Sequence, residues 1–161
     1  GKIGQAVAKR AAGFGMKIIY YNRSKKDGDL NSSLKQYTKS TDLDELLKTS
    51  DYLSIHLPLT DETKGFVNKD LFDRMQKKPI ILNMARGDIV NTNDLVEALR
   101  VGKVRGAGLD VISPEPISGD HPLCHFDNCL VVPHIGTATL ECRTEMARIA
   151  AKNICDHFES E

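Results

Sequence analysis

Four residues that can bind an anion or transfer a proton come at or just after the ends of short segments typical of strands. They are Arg86 after PIILNMA (79–85), Asp110 and Glu115 at and after the end of VRGAGLDV (104–111), and His134 at the end of CLVVPH (129–134). Arginine offers a planar, permanently charged fork to a carboxylate, and histidine exchanges a proton near neutral pH. Taken singly, each also has a purely structural explanation. Arg86 would be a solvated strand end and Asp110 a loop cap. Glu115 would be a surface acid in a proline-rich turn, and His134 a hydrogen-bonded core histidine. Their shared position after strand-like segments makes them candidates for one site.

A second chemical feature is Gly1-Lys2-Ile3-Gly4, which matches the back half of a G-x-G-x-x-G loop. In that motif, glycines let the pyrophosphate of a dinucleotide approach the N-terminus of a helix. The pattern GxxG is weak evidence on its own, because glycine at a helix N-terminus also serves packing.

The acidic residue that normally follows such a loop is missing. About 20 residues after the loop, an acid usually binds the ribose hydroxyls of NAD, but here KIIYY (17–21) is followed by Asn22, Arg23 and Ser24. An arginine beside that ribose accommodates the 2′-phosphate of NADP. We therefore predict NADP as cofactor, with NADPH preferred and NAD as the second possibility. The alternative is that Arg23 is an ordinary solvated loop charge.

The elements that must position these residues alternate along the chain. The patterns predict strands over 17–21, 52–57, 79–85, 104–111 and 129–134. They predict helices over 2–14, 68–76, 92–100 and 139–158. A further short helix is predicted to begin at a capping box, Thr41-Asp42-Leu43-Asp44, and to run through Leu47. Residues 24–40 are polar and predict a surface loop with a weak strand or turn near its end. This alternation is typical of an α/β fold, a doubly wound (Rossmann-like), mostly parallel sheet with helices on both faces.

In such a sheet, ligands bind beyond the carboxyl ends of the strands. The segment 52–57 brings Leu57 and Pro58 to that edge, and the loop before the first helix brings Gly1 and Gly4. The arginine, the two acids and the histidine are expected at the same edge, beside the candidate nucleotide loop.

Composition narrows the function classes. The 161 residues fit one domain, and 22 basic residues balance 22 acidic ones, so we expect no nucleic-acid partner. No apolar run approaches the about 18 residues of a spanning helix, so we expect no membrane segment. The four cysteines form no C-x-x-C and suit a reducing compartment, hence a cytoplasmic location. A chain that starts within a motif does not report on targeting.

The segment HPLCHFDNC contains four residues of the types that bind zinc: His121, Cys124, His125 and Cys129. Zinc modules usually take their ligands from two separated pairs, and four ligands packed this closely do not form such pairs. We therefore prefer a surface loop that runs into a strand, and predict no metal.

The segments NMARGDIVNTNDLVEALRVGKVRGAGLDVISPEP and HPLCHFDNCLVVPHIGTAT resemble the D-isomer-specific 2-hydroxyacid dehydrogenase family. They are most similar to its glyoxylate/hydroxypyruvate reductase branch. The resemblance implies that Arg86, Glu115 and His134 are catalytic. It also implies that Asp110 and the backbone near Met84 and Gly136 hold the nicotinamide carboxamide.

The implied reaction moves a hydride between nicotinamide and C2 of a small 2-oxoacid. Arg86 would grip the substrate carboxylate and reach the carbonyl oxygen, and His134 would donate the proton as general acid. Glu115 at the other ring nitrogen would fix the tautomer of His134 and favour the imidazolium.

The resemblance also bears on domain organisation. It implies that residues 1–161 are a dinucleotide-binding domain that is incomplete at its N-terminus, lacks its first strand and has no substrate domain. We therefore expect the isolated chain to be inactive. The intact protein is expected to be a homodimer that reduces glyoxylate or hydroxypyruvate to the D-2-hydroxyacid. The alternatives are a phosphoglycerate or D-lactate dehydrogenase relative, or a non-enzymatic, dinucleotide-sensing corepressor-like protein.

Overall fold

The computed structural model describes residues 1–22 and 38–159. The helices of this part are α1 (Lys2–Gly13), α2 (Leu43–Thr49), α3 (Lys69–Arg74), α4 (Thr92–Arg100) and α5 (Leu140–Glu159), with 3₁₀ turns at Gly87–Ile89 and Pro122–Cys124. The strands are β1 (Ile18–Tyr20), β2 (Thr38–Ser40), β3 (Tyr52–Ile55), β4 (Ile80–Asn83), β5 (Gly106–Leu109) and β6 (Cys129–Val131). No helix of the described ranges is long and apolar enough to cross a membrane.

All strand pairs in these ranges are parallel, which confirms the predicted α/β class. The strands form a sheet of four in the order β3-β4-β5-β6 and a separate pair β1-β2. A doubly wound sheet has the strand order 3-2-1-4-5-6, counted from its own first strand, so that first strand lies at the centre between the two halves. In this chain the pair β1-β2 is not bonded to the sheet of four, and the break between β1 and β3 corresponds to that central position.

The register of the larger sheet brings the strand ends level. Asn83 at the end of β4 pairs with Ile55 on one side and Leu109 on the other, and Leu109 pairs with Val131. Parallel neighbours lie about 4.8 Å apart. The loops after β4, β5 and β6 therefore start side by side at one edge of the sheet.

The predicted strands are longer than the observed ones, because residues at one or both of their ends lie outside the ladder. The residues beyond the carboxyl ends, such as Ala85 and Asp110, belong to the loops at that edge. The predicted capping box is displaced by one residue. Asp42, not Thr41, caps α2 by accepting the N–H of Glu45, 2.7 Å away. Thr41 precedes the cap: its N–H donates to the carbonyl oxygen of Tyr20 in β1, and its hydroxyl donates to the Glu45 carboxylate.

The core lies between the larger sheet and the helices α2, α3 and α4. Its fully enclosed side chains include Phe72, Ile81 and Leu95, from α3, β4 and α4 respectively. In contrast, α1 and α5 bury no side chain, and apolar residues of α5 such as Met146 lie on the surface. The stability of the described fold therefore comes from its middle elements.

We expect Phe72→Ala to destabilise the chain by about 3–5 kcal/mol, because the ring is 1% exposed and its loss leaves a cavity. Phe14→Ala is the matched control, since that ring is 87% exposed and its removal should cost within about 0.5 kcal/mol. Urea unfolding of the two variants measures both values. Equal midpoints would contradict this description of the core.

Candidate active site

The turn that presents Arg86 is shaped by a buried amide. Asn83, the last residue of β4, is 1% exposed. Its Nδ2 donates to the carbonyl oxygen of Arg86 at 3.0 Å, and its Oδ1 accepts the N–H of Ala85 at 3.1 Å. Because both ends of this buried amide are bonded to the turn, the backbone of Arg86 is held in place. The guanidinium of Arg86 is exposed at the edge of the sheet and donates to the Ala85 carbonyl oxygen at 2.6 Å.

The sequence reasoning missed Asn83. The signal that could have found it is a single amide side chain at the end of the otherwise apolar segment PIILNMA, where a buried polar group needs partners.

The residue after Arg86 joins this turn to the next loop. A Cβ added to Gly87 would lie 2.0 Å from the carbonyl oxygen of Ile112 and 2.7 Å from the backbone nitrogen of Ser113. Only glycine permits so close an approach of two backbone segments. The Arg86 turn thus contacts the loop that contains Glu115.

Glu115 and His134 form the central contact of the site. Nδ1 of His134 lies 2.8 Å from Oε1 of Glu115, and the side chains are 51% and 42% exposed respectively. His134 has a φ of 53°, a left-handed conformation that costs a residue with a Cβ about 1–2 kcal/mol. Strained residues of this type concentrate at functional sites, where neighbouring contacts hold them.

Asp110 supplies those neighbouring contacts. Its side chain is buried, and its two carboxyl oxygens accept the backbone N–H groups of Ile135 at 2.6 Å and Gly136 at 2.9 Å. These are the two residues that follow His134, so Asp110 fixes the loop on one side of the histidine.

The contacts of Asp110 also limit how it can meet a carboxamide. The N–H of Gly136 is already used by Asp110, so Gly136 would contact a carboxamide through its carbonyl oxygen. Each Asp110 oxygen has a second acceptor site and can still bind a carboxamide N–H. Met84, at the start of the preceding loop, is exposed at the same edge.

The glycine loop lies against the end of β3. Gly1 is the N-cap of α1, and a Cβ added to Gly4 would meet the imidazole of His56 at 3.5 Å. His56 follows β3 and is held by Ser54, with 2.9 Å between Oγ and Nε2. Burial lowers the pKa of His56, which favours the neutral form of its ring.

The remaining predicted cofactor residues divide by location. Lys2 and Ile3 are exposed in the first turn of α1, while Leu57 is half-buried and Pro58 exposed after β3. Asn22 is exposed beyond the carboxyl end of β1. Arg23 and Ser24, on which the NADP prediction rests, lie outside the described residues.

The cysteine and histidine cluster has other structural roles. Nδ1 of His121 accepts the N–H of Leu123 and starts the 3₁₀ turn, and Cys129 begins β6. Burial, with a smaller contribution from Cys124, raises the pKa of Cys129 to about 11, so its sulfur stays a thiol. Within residues 1–22 and 38–159, no three His, Cys, Asp or Glu side chains come together as a metal site would require.

The site fits a nicotinamide dinucleotide. The N-cap of α1 is a glycine, which has no side chain to bond the first N–H groups, and the first turn contains no acidic residue. Unpaired N–H groups at such a helix end bind phosphate. This end lies at the β3 side of the edge, and the Asp110 and Gly136 contact lies at the other side.

We expect Gly136→Ala to displace the Asp110 carboxyl group, because the new Cβ would lie 2.7 Å from Oδ2. Loss of the two backbone hydrogen bonds should lower the free energy of unfolding by about 1–3 kcal/mol and speed amide exchange at Ile135. In Gly119→Ala the added Cβ meets open space, and this control should change neither value. Unchanged Ile135 exchange in Gly136→Ala would contradict the role given to Asp110.

Comparison with known proteins gives the family of this chain. Residues 1–136 match the family described as D-isomer specific 2-hydroxyacid dehydrogenase, NAD binding domain. The chain is 44% identical over 154 residues to a glyoxylate reductase of Thermofilum pendens and 44% identical over 154 residues to a hydroxypyruvate reductase of Blautia hydrogenotrophica. Each alignment covers 96% of this chain but only 45% and 47% of the relative, so the chain spans about half the length of these relatives.

A solved structure agrees with the sequence comparison. The TT0316 protein of Thermus thermophilus superposes with a TM-score of 0.89 at 43% identity, over all of this chain and 49% of that one. The match to the family covers most of this chain, including the Arg86 turn and the contact between Glu115 and His134. The chain therefore belongs to the D-isomer specific 2-hydroxyacid dehydrogenases, in whose NAD-binding domain residues 1–136 lie.

Proposed function

We propose that the protein is an NAD(P)-dependent reductase of glyoxylate or hydroxypyruvate that forms the D-2-hydroxyacid. The observation that carries the proposal is the contact of His134 with Glu115, which belongs to the loop that packs on the Arg86 turn. The names of the two relatives, glyoxylate reductase and hydroxypyruvate reductase, support the substrate class.

The geometry supports a division of roles among the three side chains. Nδ1 of His134 is engaged by Glu115, so Nε2 is the nitrogen that would give the proton to the substrate oxygen. The exposed guanidinium of Arg86 would bind the substrate carboxylate through paired N–H groups. A cationic pair facing the carbonyl would also stabilise the negative charge that develops on its oxygen.

When bound, the nicotinamide cofactor supplies the hydride. The first turn of α1, from Gly1 to Gly4, would hold its pyrophosphate, with Leu57 and Pro58 beside it. Asp110 and the carbonyl oxygen of Gly136 would orient the carboxamide, together with the backbone at Met84. The side chains that follow β1 would contact the adenosine ribose.

The proposal extends to organisation. Residues 1–161 would form one dinucleotide-binding domain that works with a separate substrate domain, and the interruption between β1 and β3 supports a further strand at that place. A homodimer and a cytoplasmic location are proposed from the resemblance and the cysteine usage respectively. A non-enzymatic, dinucleotide-sensing role would be distinguished by absence of turnover of both 2-oxoacids by the intact protein.

We expect the intact protein to oxidise NADPH in the presence of glyoxylate or hydroxypyruvate, and His134→Gln to lower kcat by about 10²–10⁴-fold because the general acid is lost. Dinucleotide affinity, measured by calorimetry, should stay nearly unchanged. His125→Gln makes the same substitution at an exposed histidine outside the site and should keep full activity. More than half of wild-type turnover in His134→Gln would disprove the assignment.

The cofactor preference is tested separately. We expect Arg23→Ala to lower kcat/KM for NADPH by about 10- to 100-fold, through loss of a charge-assisted contact to the 2′-phosphate, and to change the value for NADH little. Asn22→Asp should move the preference towards NADH by repelling the phosphate. Arg100→Ala, which removes an exposed arginine of α4, is the control. Equal efficiency of both cofactors in the wild type would refute the prediction.

A further inference from the structure

We propose that Thr92 is a positioning residue for this reduction: its hydroxyl holds the loop that keeps Glu115 against His134. Oγ1 of Thr92 donates to the carbonyl oxygen of Ser113 at 2.6 Å, across 21 residues of sequence. The inference rests on the proposed function, because positioning has meaning only where Glu115 and His134 act together.

The first structural fact is that α4 does not need this hydroxyl as a cap. Asn91 is the N-cap, and its side chain accepts the N–H of Asp94 at 3.1 Å. Thr92 is the first helical residue, half-buried, and directs its hydroxyl out of the helix to Ser113. The bond therefore serves the contact between α4 and the loop.

The second fact is that Thr92 belongs to a firmly held segment. Between Arg86 and α4, Ile89 and Val90 are buried, and the carbonyl of Ile89 accepts the N–H of Val67 at 3.0 Å. Gly87 at the start of this segment packs on Ile112. The loop after β5 is thus fixed at two successive residues, Ile112 by packing and Ser113 by a hydrogen bond.

The third fact is the short path from this anchor to the catalytic pair. Only Pro114 separates Ser113 from Glu115, and Pro116 follows it. Proline has no N–H, so neither proline can add a backbone donor bond to hold the loop. Displacement of the Ser113 carbonyl would therefore move Glu115, which lies 2.8 Å from His134.

The test compares Thr92→Val with Thr92→Ser in the intact protein. Valine keeps the shape and removes the hydroxyl, so kcat with glyoxylate should fall about 10-fold while KM for NADPH stays within about 2-fold. Serine keeps the hydroxyl and should restore kcat. Thr49→Val removes a hydroxyl that bonds within α2 and should have no effect.

A double-mutant cycle with Glu115→Gln decides whether Thr92 acts through Glu115. If it does, Thr92→Val should lower kcat less than about 2-fold in the Glu115→Gln background. The same 10-fold loss in both backgrounds, or wild-type kcat in Thr92→Val, would overturn the proposal.

A readout without activity separates this inference from the proposed function. The ¹⁵N resonances of the His134 ring report its contact with Glu115, and they should move towards those of Glu115→Gln in Thr92→Val but not in Thr92→Ser. Ring resonances unchanged by Thr92→Val would overturn the positioning role, even for a protein that reduces neither 2-oxoacid.

Discussion

The hydrogen bonds accepted by Asp110 join two of the loops at the edge of the sheet and hold the backbone beside His134. A buried carboxyl group is costly unless its oxygens are bonded, and both oxygens of Asp110 bind consecutive backbone N–H groups at Ile135 and Gly136. These bonds join the end of β5 to the loop after β6. They also offset the left-handed backbone of His134, which precedes the two bonded residues.

The other functional groups reach this edge because three parallel strands end level there. Arg86, Glu115 and His134 come from the loops after β4, β5 and β6, and each loop is held by a contact with its neighbour or its own strand. Asn83 holds the turn of Arg86, and Gly87 places that turn on the next loop. The side chains of the site are consequently exposed to solvent, while the loops that contain them are held by buried backbone contacts. Such contacts keep side chains in the single geometry that binding of a ligand requires.

Sequence patterns were sufficient for the order of the elements and for the contact of Glu115 with His134, because alternation and strand ends are local signals and the family motifs are specific. They were not sufficient for the bonding partners of Asn83 or Thr92. The single amide in PIILNMA marks Asn83 as a buried polar group but does not show which backbone groups it bonds, and the partner of Thr92 is 21 residues away.

The close approach at Gly87 has a genetic consequence. Every other amino acid has a Cβ, and at this position that atom would lie 2.0 Å from a backbone oxygen that belongs to a neighbouring loop. Any missense change of this codon would therefore separate the loops of Arg86 and Glu115 while leaving both residues, and His134, in the sequence. An allele of this kind would keep all three proposed catalytic residues and still encode a protein in which their loops are displaced.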